Sequence, residues 1–244
     1  MRPASHRLKV GKAIGDRGKV RGVRRLVRDN APDSLPVRTG LVTRTGLPYD
    51  DAGRPAPPVE FLQGLQDGRD AFLRVLRRVL DDVPTWGRVT VREPHKEGGR
   101  RPGYPHSHDG IVVVGDVTEA DIRPAVDSYV AANPFARSTD HDEATDAISV
   151  WDTDTRMAPF ERLGPELTNG LVGYAFDSSG GSPLAGTTDA QLRFGSLMWT
   201  TGKQSVTFDD TFCEWIDRSQ DGWTPEKTTA TSAPPSPSYD EAGG

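Results

Sequence analysis

Cysteine occurs once in this chain, at Cys213. One thiol excludes an intramolecular disulfide and a cysteine-based zinc knuckle, and the residue is expected as a small apolar side chain on a helix face. Long apolar runs are also missing. Nothing approaches the roughly 18 residues of a spanning helix, and no apolar core follows the basic N-terminal stretch. The reading is a soluble, cytoplasmic protein with no membrane partner. Hydrophobic residues make up 34% of the 244, beside 26 Gly and 20 Pro. That supplies one sizeable domain and leaves much of the length to loops and tails. Lysine is scarce, with 6 against 24 arginines. Such usage fits a high-GC or salt-adapted host and says nothing about fold.

The formal charge of −5 hides an asymmetry. Residues 1–30 hold ten Lys/Arg, among them Arg21, Arg24, Arg25 and Arg28, against Asp16 and Asp29, so this stretch carries +8 and the remainder −13. A basic arm on an acidic body suits a polyanion, because Lys/Arg on phosphates release condensed counterions. A solvated leader has the same composition. Residues 1–38 read as a flexible basic arm, 39–221 as one domain, and 222–244 as a disordered Pro/Ser/Thr-rich tail.

Within the domain, β-branched alternation predicts a short strand over 39–46. Phe61, Leu62, Leu65, Phe72, Val75, Leu76, Val79 and Leu80 recur at helical spacing, so 59–82 is an amphipathic helix, weakened by Gly64 and Gly68. Its arginines, Arg69, Arg74, Arg77 and Arg78, fall mostly on the solvent side. Val89 and Val91 alternate with Arg88, Thr90 and Arg92 in a half-buried strand that delivers Glu93. After a Gly98-Gly99 turn, 106–114 runs back beside 88–93 as a hairpin. Thr118 with Asp121 marks a helix start, and the helix extends to about Ala132 past Pro124. A strand over 147–151, a weak helix over 163–176, and helices over 189–201 and 209–219 complete the pattern.

The chemistry-bearing stretch is Glu93-Pro94-His95, a Gly/Arg-rich loop, then Gly103-Tyr104-Pro105-His106-Ser107-His108-Asp109. Strand side chains at i and i+2 share a face, so His106 and His108 present two imidazoles together. Such a pair on a rigid strand suits a divalent cation, with a carboxylate such as Glu93 completing a site that keeps open positions. Taken alone, such a pair is more often two surface histidines at a loop-to-strand junction, and it is the rest of the chain that turns the reading toward a metal.

Four blocks in order resemble HUH endonucleases, the Rep proteins that start rolling-circle replication, and especially those of haloarchaeal plasmids and viruses. Leu41-Val42-Thr43-Arg44-Thr45-Gly46 resembles the first Rep motif. Glu93-Pro94-His95 with His106-Ser107-His108 resembles the metal motif. Asp116 to Pro124 resembles the helix start that follows, and Leu197-Met198-Trp199-Thr200-Thr201-Gly202-Lys203 resembles a block near the end of the Rep domain. The resemblance implies an α+β fold with a central antiparallel sheet flanked by helices. It also implies a Mg²⁺ or Mn²⁺ cofactor on His106, His108 and Glu93, with His95 as the alternative third ligand. The implied partner is single-stranded origin DNA, with host replication machinery as a further one. Arg21, Arg24, Arg25, Arg28 and Lys203 are the candidate DNA contacts.

In that family a tyrosine attacks a backbone phosphate, forming a phosphotyrosyl link and releasing a 3′-OH. Two departures stand out. Ser107 and Asp109 occupy strand positions that are usually apolar. In the tyrosine-bearing segment, the usual positions fall on Glu166 and Gly170, which leaves Tyr174 as the candidate nucleophile. The implied function is origin nicking, and the alternative is a catalytically degenerate relative that binds DNA without nicking.

Overall fold

Alternating side chains at the centre of the chain give each strand two distinct faces, and the strands pair so that like faces coincide. The computed structural model describes residues 27, 31–32, 34–49, 53–95, 102–142, 145, 147–152, 188–204 and 206–218. The fold is α+β. Strands β1 (Val37–Arg44), β2 (Thr85–Pro94), β3 (Pro105–Val114), β4 (Ile148–Asp152) and β5 (Val206–Phe208) form an antiparallel sheet in the order β4-β1-β3-β2-β5. The expected hairpin is present and longer than its apolar core. It pairs Thr85 with Val114 at one end and Pro94 with Pro105 at the other.

Four helices pack on this sheet among the described residues: α1 (Pro58–Val79), α2 (Glu119–Ala132), α3 (Asp189–Thr200) and α4 (Asp210–Arg218). The back face, which carries Val42, Ile111 and Val113, is buried against α1 and α2 through Phe61, Leu65, Phe72, Leu76, Ile122 and Val126. The front face, with Leu41, Val89, Val91, Val112 and Val114, meets α4 through Phe212 and Trp215. A smaller cluster of Leu62 with Phe194, Leu197 and Met198 seats α3 on α1.

The glycines that weaken α1 have a packing reason. A Cβ on Gly64 would lie 2.8 Å from Asn133 Oδ1, and one on Gly68 would lie 2.6 Å from the Tyr129 ring. Four residues apart, they clear one face of the helix so that α2 can approach. At the start of α2, Thr118 and Asp121 form a reciprocal capping box, and the helix runs on through Pro124. The box satisfies N-terminal N–H groups that have no partner inside the helix.

Some boundaries differ from the sequence reading. The first strand begins at Val37, and Val27 is buried in the front core with Ala31 and Leu35 packed against it. Packing therefore reaches into residues read as a basic arm. Strand β5 had no sequence signal, since three residues between turns show no period. Its place is set by pairing Val206 with Val91 and Phe208 with Val89. Cys213 is exposed on α4 rather than packed as a small apolar residue. Arg69 departs from the solvent face assigned to the α1 arginines: it is half-buried, whereas Arg74, Arg77 and Arg78 are exposed. Tyr174, Glu166, Gly170, the helix expected over 163–176, the arginines Arg21, Arg24, Arg25 and Arg28, and the tail from 222 lie outside the described residues.

Candidate metal centre

The register of the central strands assembles a cluster on the front face. Glu93 of β2 stands opposite His106 of β3, and Thr43 of β1 stands opposite His108. Parity does the rest, because Thr43, His106, His108, Val91 and Glu93 all project to the same side. Glu93 Oε1 lies 3.0 Å from His106 Nε2 and 3.1 Å from His108 Nε2. One ligand atom from each of the three residues lies within 4.8 Å of the others. This group could hold a metal ion.

The spacing tests that fit. Two cis ligands about 2.1 Å from one octahedral ion lie about 3.0 Å apart, the separation that the carboxylate already keeps from each imidazole. Two neutral nitrogens and one anionic oxygen suit a borderline to hard divalent cation and leave half of an octahedron open. The side chains of Glu93, His106 and His108 keep 17%, 13% and 10% of their surface accessible, so the open side faces outward.

The electrostatics favour a ligand that is already ionised. Burial acts to raise the Glu93 pKa, but hydrogen bonds and charge from His106 and His108 outweigh it and hold the carboxyl at about 2. The other ring nitrogen of His108, Nδ1, is 3.1 Å from Thr43 Oγ1. A contact of this kind fixes ring orientation and keeps Nε2 toward Glu93.

His95, the alternative third ligand, does not join the group. Its ring stacks on His106 at 4.3 Å between centroids, and its Nε2 lies 3.0 Å from Thr45 Oγ1. It braces His106 from behind. Thr43 and Thr45, both within the first resembling block, went unrecognised as positioning residues. Thr43 lies in β1 and Thr45 just past its end, and only the tertiary arrangement shows which histidines they meet.

The two strand departures have a structural account. Asp109 does not assist the metal group, because it points to the opposite face. Fully buried there, it receives Arg44 Nε at 2.5 Å, Arg88 Nη1 at 3.0 Å and the Thr90 hydroxyl at 2.6 Å. Burial alone would raise its pKa, but the Arg44 and Arg88 charges hold the carboxyl well below the usual range. Ser107 stands on that same back face in one cross-strand row with Arg44 and Arg92. Both polar residues therefore face an arginine cluster rather than an apolar core.

Lys203 is half-buried in the turn after α3, beside Gln204, whose carbonyl accepts Arg92 Nη1 at 2.6 Å. Two tyrosines among the described residues have their hydroxyls engaged. Tyr129 is fully buried, donates to Thr45 O at 2.9 Å and accepts from Asn133 Nδ2 at 2.8 Å. Tyr104 donates to Ala56 O at 2.8 Å, and burial with Tyr49 nearby pushes its phenol above the ordinary value.

Known proteins resemble the chain over most of its length. It is 31% identical over 175 residues to an "Uncharacterized 36 kDa protein" of Halobacterium salinarum, covering 69% of this chain and 52% of that protein. A protein of the same description from Halobacterium sp. (strain GN101) is 29% identical over 196 residues, covering 76% of this chain and 57% of that one. The chain thus spans about half the length of the curated relatives it matches. No solved structure matches it. Among the described residues no helix is long and apolar enough to cross a membrane. With residues 17–222 matching its model, the chain belongs to the family described as "Putative rep protein (DUF1424)".

Proposed function

We propose that this chain is an HUH-type replication initiator that nicks one DNA strand at a plasmid or viral origin, acting in the cytoplasm with host replication machinery. The observation that carries the reading is the convergence of Glu93, His106 and His108 on the central strand pair of a protein from a Rep-described family. His106, His108 and Glu93 hold a divalent cation, Mg²⁺ or Mn²⁺. When bound, the ion supplies charge neutralisation at the scissile phosphate. Glu93 enters the site ionised, so no proton has to leave it before the ion binds. Thr43 keeps His108 aimed, and His95 keeps the His106 ring from turning.

Tyr174 is the proposed nucleophile. Its phenolic oxygen forms the new P–O bond, the P–O bond to the 3′ oxygen breaks, and the 3′-OH leaves with a proton. The hydroxyls of Tyr104 and Tyr129 are committed to backbone carbonyls, which favours a tyrosine elsewhere. Arg21, Arg24, Arg25, Arg28 and Lys203 are proposed to contact DNA phosphates, so affinity should fall with salt.

The test is adduct formation by the full chain on single-stranded origin DNA with Mg²⁺ or Mn²⁺. A covalent protein–DNA product that disappears in Tyr174→Phe is expected. An adduct that survives this substitution would move the nucleophile to another tyrosine. Wild-type protein that binds the DNA but never nicks it, at low and at multimolar salt, would be the degenerate relative that Glu166 and Gly170 favour.

A further inference from the structure

Behind the metal group, the back face gathers more positive charge than it neutralises. Arg44 and Arg92 flank Ser107 in one row across β1, β3 and β2. Arg88 and Asp109 follow further along the same strands, and Arg69 reaches the cluster from α1. The residues Arg44, Arg88 and Arg92 are 1%, 4% and 6% exposed. Asp109 is the buried carboxylate acting on all four guanidiniums, while Asp70, which pairs with Arg69 at 3.2 Å, is exposed.

Arginine does not relieve such crowding by losing a proton under ordinary conditions. The strain shows in Arg92, which burial first and then the Arg44 and Arg69 charges pull down to about 10. Arg69 is lowered in the same way, by burial and then by Arg88 and Arg44. Hydrogen bonding is incomplete as well. Arg44 Nη2, Arg69 Nε and Arg88 Nε are buried and have no hydrogen-bond partner among the described residues. Most buried donors in folded proteins are satisfied, so unsatisfied N–H groups on several guanidiniums in one cluster are unusual.

We propose that Arg44, Arg69, Arg88 and Arg92 form a binding site for an oxyanion of the phosphate class, on the face of the sheet opposite the Glu93–His106–His108 group. Guanidinium forks match tetrahedral oxyanions through paired N–H donors, which a halide cannot engage in the same way. Arg69, with 28% of its side chain accessible, is the solvent side of the cluster, so phosphate enters there. A free phosphate ion and the terminal phosphate of a mononucleotide share this chemistry. The site stands apart from the nicking proposal, since none of its residues belongs to the metal group.

The experiment titrates inorganic phosphate, and separately 5′-dTMP, into the full chain at fixed ionic strength set with sodium chloride. Thermal unfolding and calorimetry are the readouts. Phosphate should raise Tm saturably over the chloride control, and Arg69→Gln and Arg92→Gln should each weaken its apparent Kd at least tenfold. Arg69 lies at the edge, so Arg69→Gln answers the question even if Arg92→Gln fails to fold, and Mn²⁺ binding on the front face checks that the sheet is intact. Tighter binding of 5′-dTMP with the same arginine dependence assigns a nucleotide. A response to inorganic phosphate alone assigns a resident ion. No Tm shift beyond chloride, or a shift unchanged in Arg69→Gln, overturns the site.

Discussion

On the front of the sheet, Glu93, His106 and His108 have side chains 17%, 13% and 10% exposed; on the back, one residue along the same strands, Arg44 and Asp109 are 1% and 0% exposed. The two clusters share strands, register and neighbours, and differ in side-chain parity. The front group brings an ionised carboxylate and two imidazoles together where each keeps part of its surface accessible. The back group is largely withdrawn from water, with its carboxylate taking two guanidiniums and a hydroxyl and only Arg69 at the solvent edge. They are also coupled by charge. A bare guanidinium about 10 Å from a divalent cation would oppose it by roughly 3 kcal/mol at an effective dielectric near 20, so neutralising the back face is a condition for a working front face. Asp109, which breaks the apolar run of the strand, supplies part of that neutralisation.

If that division is right, the largest effect of any single change belongs to the back. Asp109→Ala removes the buried carboxylate of the cluster and leaves Arg44 and Arg88 without their ion-pair partner. Breaking a buried pair from one side typically costs about 3–5 kcal/mol, a large share of a domain's stability. Urea denaturation should show a loss of that size. A loss under 1 kcal/mol would mean that the cluster is solvated and that the contrast between the faces is false.

The front should behave in the opposite way. His106→Ala should weaken Mn²⁺ binding about 100-fold, equivalent to about 2.7 kcal/mol, while the unfolding midpoint without metal moves little. Calorimetry with Mn²⁺ and a parallel denaturant titration separate the two. A collapse of the fold in His106→Ala would make the histidines structural. Between these extremes, Gly68→Ala should destabilise by about 1–3 kcal/mol, because its Cβ would press on the Tyr129 ring. The helix propensity gained from alanine offsets part of that cost.

The sequence carried the front site better than the back. The i, i+2 histidines and the alternation around Val89 and Val91 were enough to predict the hairpin and to bring Glu93 toward the pair. Helix α1 was legible from its apolar stripe, and the start of α2 from Thr118 and Asp121. The role of Gly64 and Gly68 was not, because close approach to α2 is a tertiary fact that propensity cannot express. Asp109 was legible only as an anomaly. Its partners Arg44, Arg88 and Thr90 lie 65, 21 and 19 residues away in sequence, and only strand register brings them together. Strand β5 was invisible for the same reason, since β2 defines it.

The finest test of the front face compares two threonines at the end of β1, Thr43 within the strand and Thr45 just past it. Thr43 contacts His108, a member of the metal group, and Thr45 contacts His95, which is not. Valine keeps the β-branched shape of threonine and puts a methyl in place of the hydroxyl. Thr43→Val should therefore lower Mn²⁺ affinity about tenfold, the lower end of what loss of an orienting partner costs a metal site. Thr45→Val should change it by less than about twofold, because the ring it releases only stacks on His106. Mn²⁺ calorimetry on both variants decides the matter. If Thr45→Val proves the more damaging, then His95 rather than Glu93 completes the site, and the strand pair turns its histidines toward the ion differently from the arrangement described.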